Sequence, residues 1–155
     1  MFKFSRTKTV ITHVSRMGAE VLQPKSSCAL IALIDPDRDV ISTWGDWKYK
    51  YVVKCHDVDP AGKSQHFQQA YQIFTPAQAQ QILEFVGQLP KTVKTIVCHC
   101  EAGLSRSAAV ARFLVECVYG KHGKLVHGRF GGDLYNRHIY RILLDAYTEM
   151  AQVGD

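Results

Sequence analysis

Hydrophobic positions in this chain form short continuous runs and longer runs at helical spacing. The segment CALIALID at 28–35 is apolar without alternation and closes in the cluster DPDRD, so it predicts a buried strand. The segment YKYVVKCHDVD at 49–59 is β-branched and aromatic before Pro60 and Gly62, and it predicts a strand that leads into a loop. The segment TIVCHC at 95–100 predicts a further short strand. The three aspartates of DPDRD are interpreted as turn formers: Asp35, Asp37 and Asp39.

Three further segments have the spacing of amphipathic helices. TPAQAQQILEFVGQL begins with Thr75 as a candidate N-cap, followed by Pro76 and Gln78, which is a capping-box pattern. SRSAAVARFLVECVYG at 105–120 predicts a second helix, and a last helix is expected from about 136 to 150. The apolar residues at helical spacing are Ala79, Ile82, Leu83, Phe85 and Val86 in the first, Ala109, Val110, Phe113, Leu114 and Cys117 in the second, and Ile139, Leu143, Ala146 and Met150 in the third.

Strands alternate with helices from the middle of the chain onward, which predicts an α/β fold. The chain has 155 residues, the length of one typical globular domain, and it contains no internal repeat or long linker. Residues 1–155 are therefore interpreted as a single domain. The glycine-rich segment 121–134 lacks a clear period, so we assign no element to it.

Composition and charge restrict the classes of function. The formal net charge is +5 and the sequence pI is about 9.0, which favours an anionic partner. No basic run with interleaved aromatic residues is present, so a phosphorylated substrate is favoured over nucleic acid. No apolar run approaches the roughly 20 residues that span a bilayer. The first residues also lack the apolar core of a signal peptide. We therefore expect a cytoplasmic protein without a membrane partner.

The cysteines are the most distinctive part of the composition. They form an odd set without a CxxC pair, which favours free thiols over a disulfide framework in a cytoplasmic chain. A metal site built from the cysteines and histidines near 55 and 100 would lack the paired spacings of zinc sites, and we expect none. The five cysteines are Cys28, Cys55, Cys98, Cys100 and Cys117.

The segment VCHCEAGLSRSAAVARFL at 97–114 carries the candidate chemistry. A predicted strand ends at Cys100, a short loop contains Gly103, and a predicted helix begins near Ser105. Backbone N–H groups of such a loop, together with the positive end of the helix, suit a tetrahedral dianion. Gly103 relieves the steric limits where the backbone turns sharply. The planar guanidinium of Arg106 can hold two phosphate oxygens at once, which a lysine cannot do.

Cys100 is the candidate nucleophile of this loop. Backbone amides and a neighbouring guanidinium favour the thiolate form of a cysteine over the thiol. A thiolate that faces a bound phosphate can attack the phosphorus in line and form a cysteinyl-phosphate. Water would then release inorganic phosphate from that intermediate.

HCEAGLSRS resembles the signature loop of the cysteine-dependent protein tyrosine and dual-specificity phosphatases: His-Cys, five residues, Arg, then Ser or Thr. The resemblance extends less specifically from about 28 to 150. It implies a protein tyrosine phosphatase-like fold, with a central mixed or parallel sheet flanked by helices. It also implies an enzyme that hydrolyses phosphotyrosine in proteins without metal or organic cofactor. Phosphoserine and phosphothreonine are the additional substrates of the dual-specificity type.

The same resemblance implies roles for the residues of the loop. Cys100 is the nucleophile, Arg106 binds the phosphate, and the Ser107 hydroxyl hydrogen-bonds the thiolate as it leaves the phosphoenzyme. His99 supports the loop from behind. The backbone amides of the loop would bind phosphate, both at Gly103 and at the variable positions, which are Glu101, Ala102, Leu104 and Ser105.

The family also requires an aspartic acid upstream of the loop, which protonates the leaving oxygen and later activates water. VVKCHD matches the pattern of an apolar strand followed by Lys, two residues and Asp, so Asp57 is the expected general acid and Asp59 the alternative. Asn136 in LYNRHIYR has a weak similarity to a family asparagine that follows the loop.

Several alternatives remain open at this stage. Cys98 lies two residues before Cys100, and we interpret it as a core residue, with a redox role as the alternative. The substrate could be a non-protein phosphoester such as a phosphoinositide or RNA, although the loop lacks the lysines, or the His and Asn, typical of those relatives. A non-catalytic phosphate-binding module and a sulfurtransferase or arsenate reductase are the other classes. The oligomeric state is open.

Overall fold

The computed structural model describes residues 7–38, 47–127 and 133–153. The strands within them are β1 (Thr9–Val14), β2 (Cys28–Ile34), β3 (Tyr49–Lys54), β4 (Thr95–His99) and β5 (Gly123–Val126). They form one sheet in the order β3-β2-β4-β1-β5, and every pairing is parallel. The helices are α1 (Arg16–Glu20), α2 (Gln65–Ala70), α3 (Pro76–Gly87), α4 (Arg106–Phe113) and α5 (Arg137–Val153). The chain after α4 continues as a π-helix, Leu114–Tyr119, and a 3₁₀ turn, Gly120–His122. This is an α/β fold with a parallel sheet flanked by helices.

The interior strand β2, which lies between β3 and β4, explains the two hydrophobic clusters of the fold. Ala29, Ile31 and Leu33 belong to the larger cluster, which also contains buried residues of α3, α4 and α5. Leu30, Ala32 and Ile34 point to the opposite face and join a smaller cluster that includes Trp47. A strand covered on both faces has no polar alternation, so CALIALI is continuously apolar.

Predictions made from strong patterns are confirmed by the structure. The strands predicted at 28–35, 49–59 and 95–100 are β2, β3 and β4, each of which ends earlier than its segment. Thr75 and Gln78 form the reciprocal capping box at the start of α3. The helix expected from about 136 to 150 is α5. The segment predicted as one helix at 105–120 is α-helical only as far as Phe113.

Four elements, α1, α2, β1 and β5, lie where the sequence predicted none. The helix α1 has only five residues and buries one of them, Ala19. In β1, two of the three inward-facing residues are Thr9 and His13, so the hydrophobic period of the strand is weak. The helix α2 has no buried residue, so it has no apolar stripe to detect. The strand β5 has only four residues and occupies part of the unassigned segment 121–134. Gly128, Gly131 and Gly132 of that segment, and Asp39 of the DPDRD cluster, lie outside the described residues.

The parallel sheet places the carboxyl ends of all five strands at one edge. The residues that directly follow the strands are Ser15, Asp35, Cys55, Cys100 and His127. In open α/β sheets, ligands bind in the crevice at this edge. The candidate nucleophile therefore lies where the fold class places binding sites. No helix in the described part of the chain is long and apolar enough to cross a membrane.

Candidate active site

Cys100 begins the loop that joins β4 to α4 and is almost completely buried, with 3% of its surface exposed. The backbone N–H of Gly103 donates to Cys100 Sγ over 3.3 Å. The Ser107 hydroxyl lies 3.1 Å from the same sulfur, within hydrogen-bonding distance. The Gly103 N–H donates to the sulfur, and the Ser107 hydroxyl is placed where it can also donate. The structure thus brings together three of the predicted site residues.

Gly103 lies where the loop passes against the end of β1. Its φ is +75°, a left-handed conformation that costs little only for glycine. A Cβ atom at this position would lie 2.5 Å from both the amide nitrogen of Ser15 and the carbonyl carbon of Val14. These are backbone atoms and cannot rotate aside. The fold therefore requires glycine here for two separate reasons, dihedral angle and space.

Replacing Gly103 with alanine is expected to lower the free energy of unfolding by about 2–5 kcal/mol, from the left-handed backbone and the steric clash together. Gly62 provides the matched control, since its φ is +72° and no atom lies within 4 Å of its Cβ position. Gly62→Ala is expected to cost only about 1–2 kcal/mol, the conformational part alone. Urea denaturation measures both values. Equal losses in the two variants would contradict the close packing of Gly103 against β1.

Arg106 is the first residue of α4 and is buried, with 4% of its surface exposed. Its Nη1 donates to Asp35 Oδ1 over 2.8 Å and to the Cys55 carbonyl over 2.6 Å. Its Nε is buried and has no hydrogen-bond partner among the described residues. One side of the guanidinium is therefore held by the ends of β2 and β3, while a second donor nitrogen remains available for an anion.

The amino end of α4 has no side-chain cap. Ser105 occupies the N-cap position, but its hydroxyl donates to Asp57 Oδ1 over 2.7 Å instead of accepting from the helix backbone. The Ser105 side chain therefore occupies none of the N–H groups in the first helical turn, and the positive end of the helix dipole is directed toward the loop. Together with Arg106, they give the concavity of the loop a positive potential suited to a phosphate group.

Two side chains donate hydrogen bonds to Asp57 Oδ1 and hold it next to this loop. Besides Ser105, the Asn136 side-chain amide donates to Asp57 Oδ1 over 2.9 Å. The same amide donates to the Val58 carbonyl over 3.1 Å, and the Asn136 backbone N–H donates to the Ser105 carbonyl over 3.0 Å. Asn136 Oδ1 accepts from Ile139 N at the start of α5. Asn136 therefore ties the Asp57 segment, the loop and α5 together.

The alternative acid, Asp59, has different contacts. Its carboxylate accepts from the Ala61 backbone N–H over 3.0 Å, a contact typical of a turn. It also lies 3.8 Å from the Arg141 guanidinium, on the α5 side of the segment. Neither contact involves the loop from Cys100 to Arg106. The structure therefore brings Asp57, and not Asp59, into direct contact with the candidate site.

His99 is fully buried at the end of β4, and its Nδ1 lies 3.3 Å from the Cys100 carbonyl oxygen. Burial lowers the pKa of His99 below its ordinary value, although the contact with the Cys100 carbonyl opposes that shift. Because a carbonyl only accepts, the neutral ring donates from Nδ1. His99 therefore contacts the backbone of the candidate nucleophile, and its supporting role stays a prediction.

Of the variable positions of the loop, Glu101 is held both by its backbone and by its carboxylate. The Glu101 carbonyl accepts from Arg16 N over 3.0 Å, and the Glu101 carboxylate lies 3.9 Å from Arg16 and 3.5 Å from Arg38. Ala102 is exposed, and Leu104 is half-buried. Their side chains make none of the contacts to Cys100, so only their backbone amides are candidates for phosphate binding.

Two other buried cysteines lie near the site and differ from Cys100 in their surroundings. Burial raises the pKa of the Cys55 thiol to about 12, with the nearby Arg106 charge opposing part of that shift. Burial likewise raises the pKa of Cys98, which is fully enclosed in the larger hydrophobic cluster. Both remain protonated at neutral pH and act as core residues. Among the described residues, no group of three or more His, Cys, Asp or Glu side chains could hold a metal ion.

Sequence reasoning missed two residues of the site and undervalued a third. Asp35 was interpreted as a turn former, yet it pairs with Arg106. Its position directly after a buried strand was the signal that could have identified it. His13 went unnoticed because β1 was not predicted, and its Nδ1 lies 2.7 Å from the Gly103 carbonyl. Asn136 carries more contacts to the site than its weak sequence similarity indicated.

Comparison with known proteins finds no family model that matches this chain and no matching curated protein.

Proposed function

We propose that this protein is a cysteine-dependent phosphatase of the protein tyrosine and dual-specificity type, with the corresponding fold. Its substrate would be a phosphorylated protein, with phosphotyrosine as the expected residue. The observation that carries the proposal is the environment of Cys100. Its sulfur faces the Gly103 N–H and the Ser107 hydroxyl in a loop that also presents the anchored Arg106 and contacts Asp57.

Substrate binding would use the positive concavity of the loop. Backbone N–H groups and the uncapped start of α4 would hold the phosphate oxygens, and Arg106 would add two donors in one plane. Because Asp35 and the Cys55 carbonyl already hold Nη1, the guanidinium plane is oriented before the substrate arrives. Such preorganisation lowers the cost of stabilising charge in the transition state.

In the first step, the Cys100 thiolate would attack phosphorus opposite the ester oxygen. The S–P bond forms as the P–O bond to the leaving group breaks, and Asp57 gives its proton to the departing oxygen. Ser105 and Asn136 hold Oδ1 of Asp57, which leaves Oδ2 to carry that proton. The products of this step are the dephosphorylated side chain and the cysteinyl-phosphate.

In the second step, water would attack the cysteinyl-phosphate and lose its proton to Asp57. The S–P bond breaks, its electron pair returns to sulfur, and inorganic phosphate leaves. The Ser107 hydroxyl, 3.1 Å from Sγ, would donate to the sulfur as negative charge develops on it. The enzyme then returns to its starting protonation state.

The direct test is hydrolysis by the purified full chain. We expect turnover of p-nitrophenyl phosphate, inhibition by orthovanadate, and release of phosphate from a panel of phosphotyrosine, phosphoserine and phosphothreonine peptides with phosphotyrosine preferred. Binding of phosphopeptides without any release of phosphate would instead favour a non-catalytic phosphate-binding module. No hydrolysis and no binding would reject the proposal.

Replacing Asp57 with asparagine is expected to reduce kcat for a phosphotyrosine peptide by about 10²–10⁴-fold, the usual contribution of general acid catalysis. The amide can still accept from Ser105 but has no proton of suitable acidity to transfer. The fall in wild-type rate toward high pH, where the general acid loses its proton, should disappear. Steady-state kinetics over a range of pH measures both effects.

Asp59→Asn is the matched control for this variant, because Asp59 lies two residues away and contacts Ala61 and Arg141 rather than the loop. Its kcat is expected to stay within about threefold of wild type, since it alters a largely exposed turn. A larger loss in Asp59→Asn than in Asp57→Asn would transfer the role of general acid to Asp59.

A further inference from the structure

His13 is a buried histidine that the proposed mechanism does not use. It lies in β1 with 1% of its surface exposed, and its ring contacts a separate residue at each nitrogen. Nδ1 is 2.7 Å from the Gly103 carbonyl oxygen, and Nε2 is 3.0 Å from Nδ1 of His127, the exposed residue that follows β5. The ring therefore connects the edge of the sheet with the middle of the candidate phosphate loop.

The acceptor decides which nitrogen of His13 carries the proton. A carbonyl oxygen has no hydrogen to give, so Nδ1 must donate to Gly103, and in the neutral ring Nε2 must accept from His127. Burial lowers the pKa of His13, which the bond to Gly103 opposes and the neighbouring His127 reinforces. The ring is thus neutral near pH 7, with one orientation and one tautomer.

The hydrogen bond from His13 acts on Gly103, the residue of the loop that also contacts Cys100. Gly103 donates its own N–H to Cys100 Sγ, and its carbonyl belongs to the next peptide unit, which carries the Leu104 N–H. In a planar trans peptide, the carbonyl and the N–H point in opposite directions. A donor that holds the Gly103 carbonyl toward β1 therefore directs the Leu104 N–H away from β1.

We propose that His13 is a positioning residue of the phosphate loop, which sets the direction of the Leu104 N–H by holding the Gly103 carbonyl. The inference rests on the proposed function, because it assigns the oriented amide to oxyanion binding. The hydrogen bonds of His13 go to Gly103 and His127 and not to Cys100, so its role is to position the loop.

The test compares variants that differ in one hydrogen bond. His13→Leu fills the buried position with an apolar side chain and removes the donor. It should weaken the affinity for tungstate roughly tenfold, as expected for a lost buried hydrogen bond. His13→Asn should keep affinity within about threefold of wild type, because its Nδ2 and the His Nδ1 are both attached to Cγ. Isothermal titration with tungstate measures the affinities, and kcat/KM for p-nitrophenyl phosphate should follow the same order.

Thr12→Val is the matched control on the same strand. It removes the hydrogen bond from Thr12 Oγ1 to the Val126 carbonyl, so it loosens β1 from β5 without touching the loop. Its tungstate affinity should equal that of wild type. An equal loss in Thr12→Val and His13→Leu would show a general effect of sheet stability and would overturn the positioning role.

Imidazole ¹⁵N shifts of the wild-type protein give a readout that does not depend on activity or on the folding of a variant. We expect His13 to carry its proton on Nδ1 at neutral pH, and a proton on Nε2 alone would overturn the proposal. A wild-type protein that neither binds tungstate nor hydrolyses phosphate would reject the proposed function together with the oxyanion role. Normal wild-type turnover with unchanged affinity in His13→Leu would reject the His13 role alone.

Discussion

Cys100→Ser is expected to abolish hydrolysis of p-nitrophenyl phosphate, with kcat lower by at least about 10⁴-fold, as for other enzymes that lose a covalent nucleophile. A serine hydroxyl is far less acidic than a thiol, so it cannot form the covalent intermediate at neutral pH. The substitution is expected to affect the chemical step and not phosphate binding, because the donors that would bind phosphate belong to the loop backbone and Arg106.

Binding should persist in this variant. The serine oxygen can take the contacts that Sγ makes with Gly103 N–H and Ser107, so the loop keeps its conformation. Without a thiolate facing the dianion, a repulsion between like charges is also removed. We therefore expect a phosphotyrosine peptide to bind Cys100→Ser at least as tightly as wild type, measured by isothermal titration.

Cys98→Ala is the matched control for Cys100→Ser. Cys98 is fully buried in the larger hydrophobic cluster, and its raised pKa keeps it a thiol. Its replacement should lower stability by about 1 kcal/mol through the lost buried volume and leave kcat unchanged. Unchanged turnover in Cys100→Ser would reject the proposed mechanism. Loss of turnover only in Cys98→Ala would assign the role of nucleophile to Cys98 instead.

Arg106→Lys is expected to reduce kcat/KM by about 10²–10³-fold, the effect of removing an oriented donor from a site of developing negative charge. The charge is conserved, but an ammonium presents one nitrogen instead of a planar fork. If that nitrogen satisfies Asp35 and the Cys55 carbonyl, it has one N–H left for a phosphate, whereas the guanidinium keeps two further nitrogens for the anion. Both kcat and the affinity for tungstate should fall.

Arg112→Lys is the control on the same helix. Arg112 pairs with Glu116 over 2.8 Å on the surface of α4, where such a pair contributes about 0–1 kcal/mol to stability. Its kcat/KM should equal that of wild type. Full activity in Arg106→Lys would contradict the role of the guanidinium fork and leave only a role for its charge.

Local patterns predicted a large part of the fold. The capping box at Thr75 and the apolar strand β2 involve neighbours within a few residues, and both were predicted correctly. The strand β1 was missed because two of its buried positions hold the polar residues Thr9 and His13. The strand is stabilised by its pairing with neighbouring strands, which its own sequence does not show. Helix α2 was missed because it buries nothing. Propensity and period are weak signals where tertiary contacts supply the stability.

The sequence by itself determined which residues form the candidate loop. Cys100, Gly103, Arg106 and Ser107 lie within eight consecutive positions, so their joint location at a strand-to-helix turn follows from local structure. The clearest signal for the proposed function therefore required no tertiary information.

Only the tertiary structure decided what surrounds that loop. Asp35 reaches Arg106 across 71 positions of the chain, Asn136 reaches Asp57 across 79, and His13 reaches Gly103 across 90. These contacts depend on the strand order and on the parallel register, which place residues distant in sequence at one edge of the sheet. A local pattern holds no information on strand order, because that order is set by the packing of the whole core.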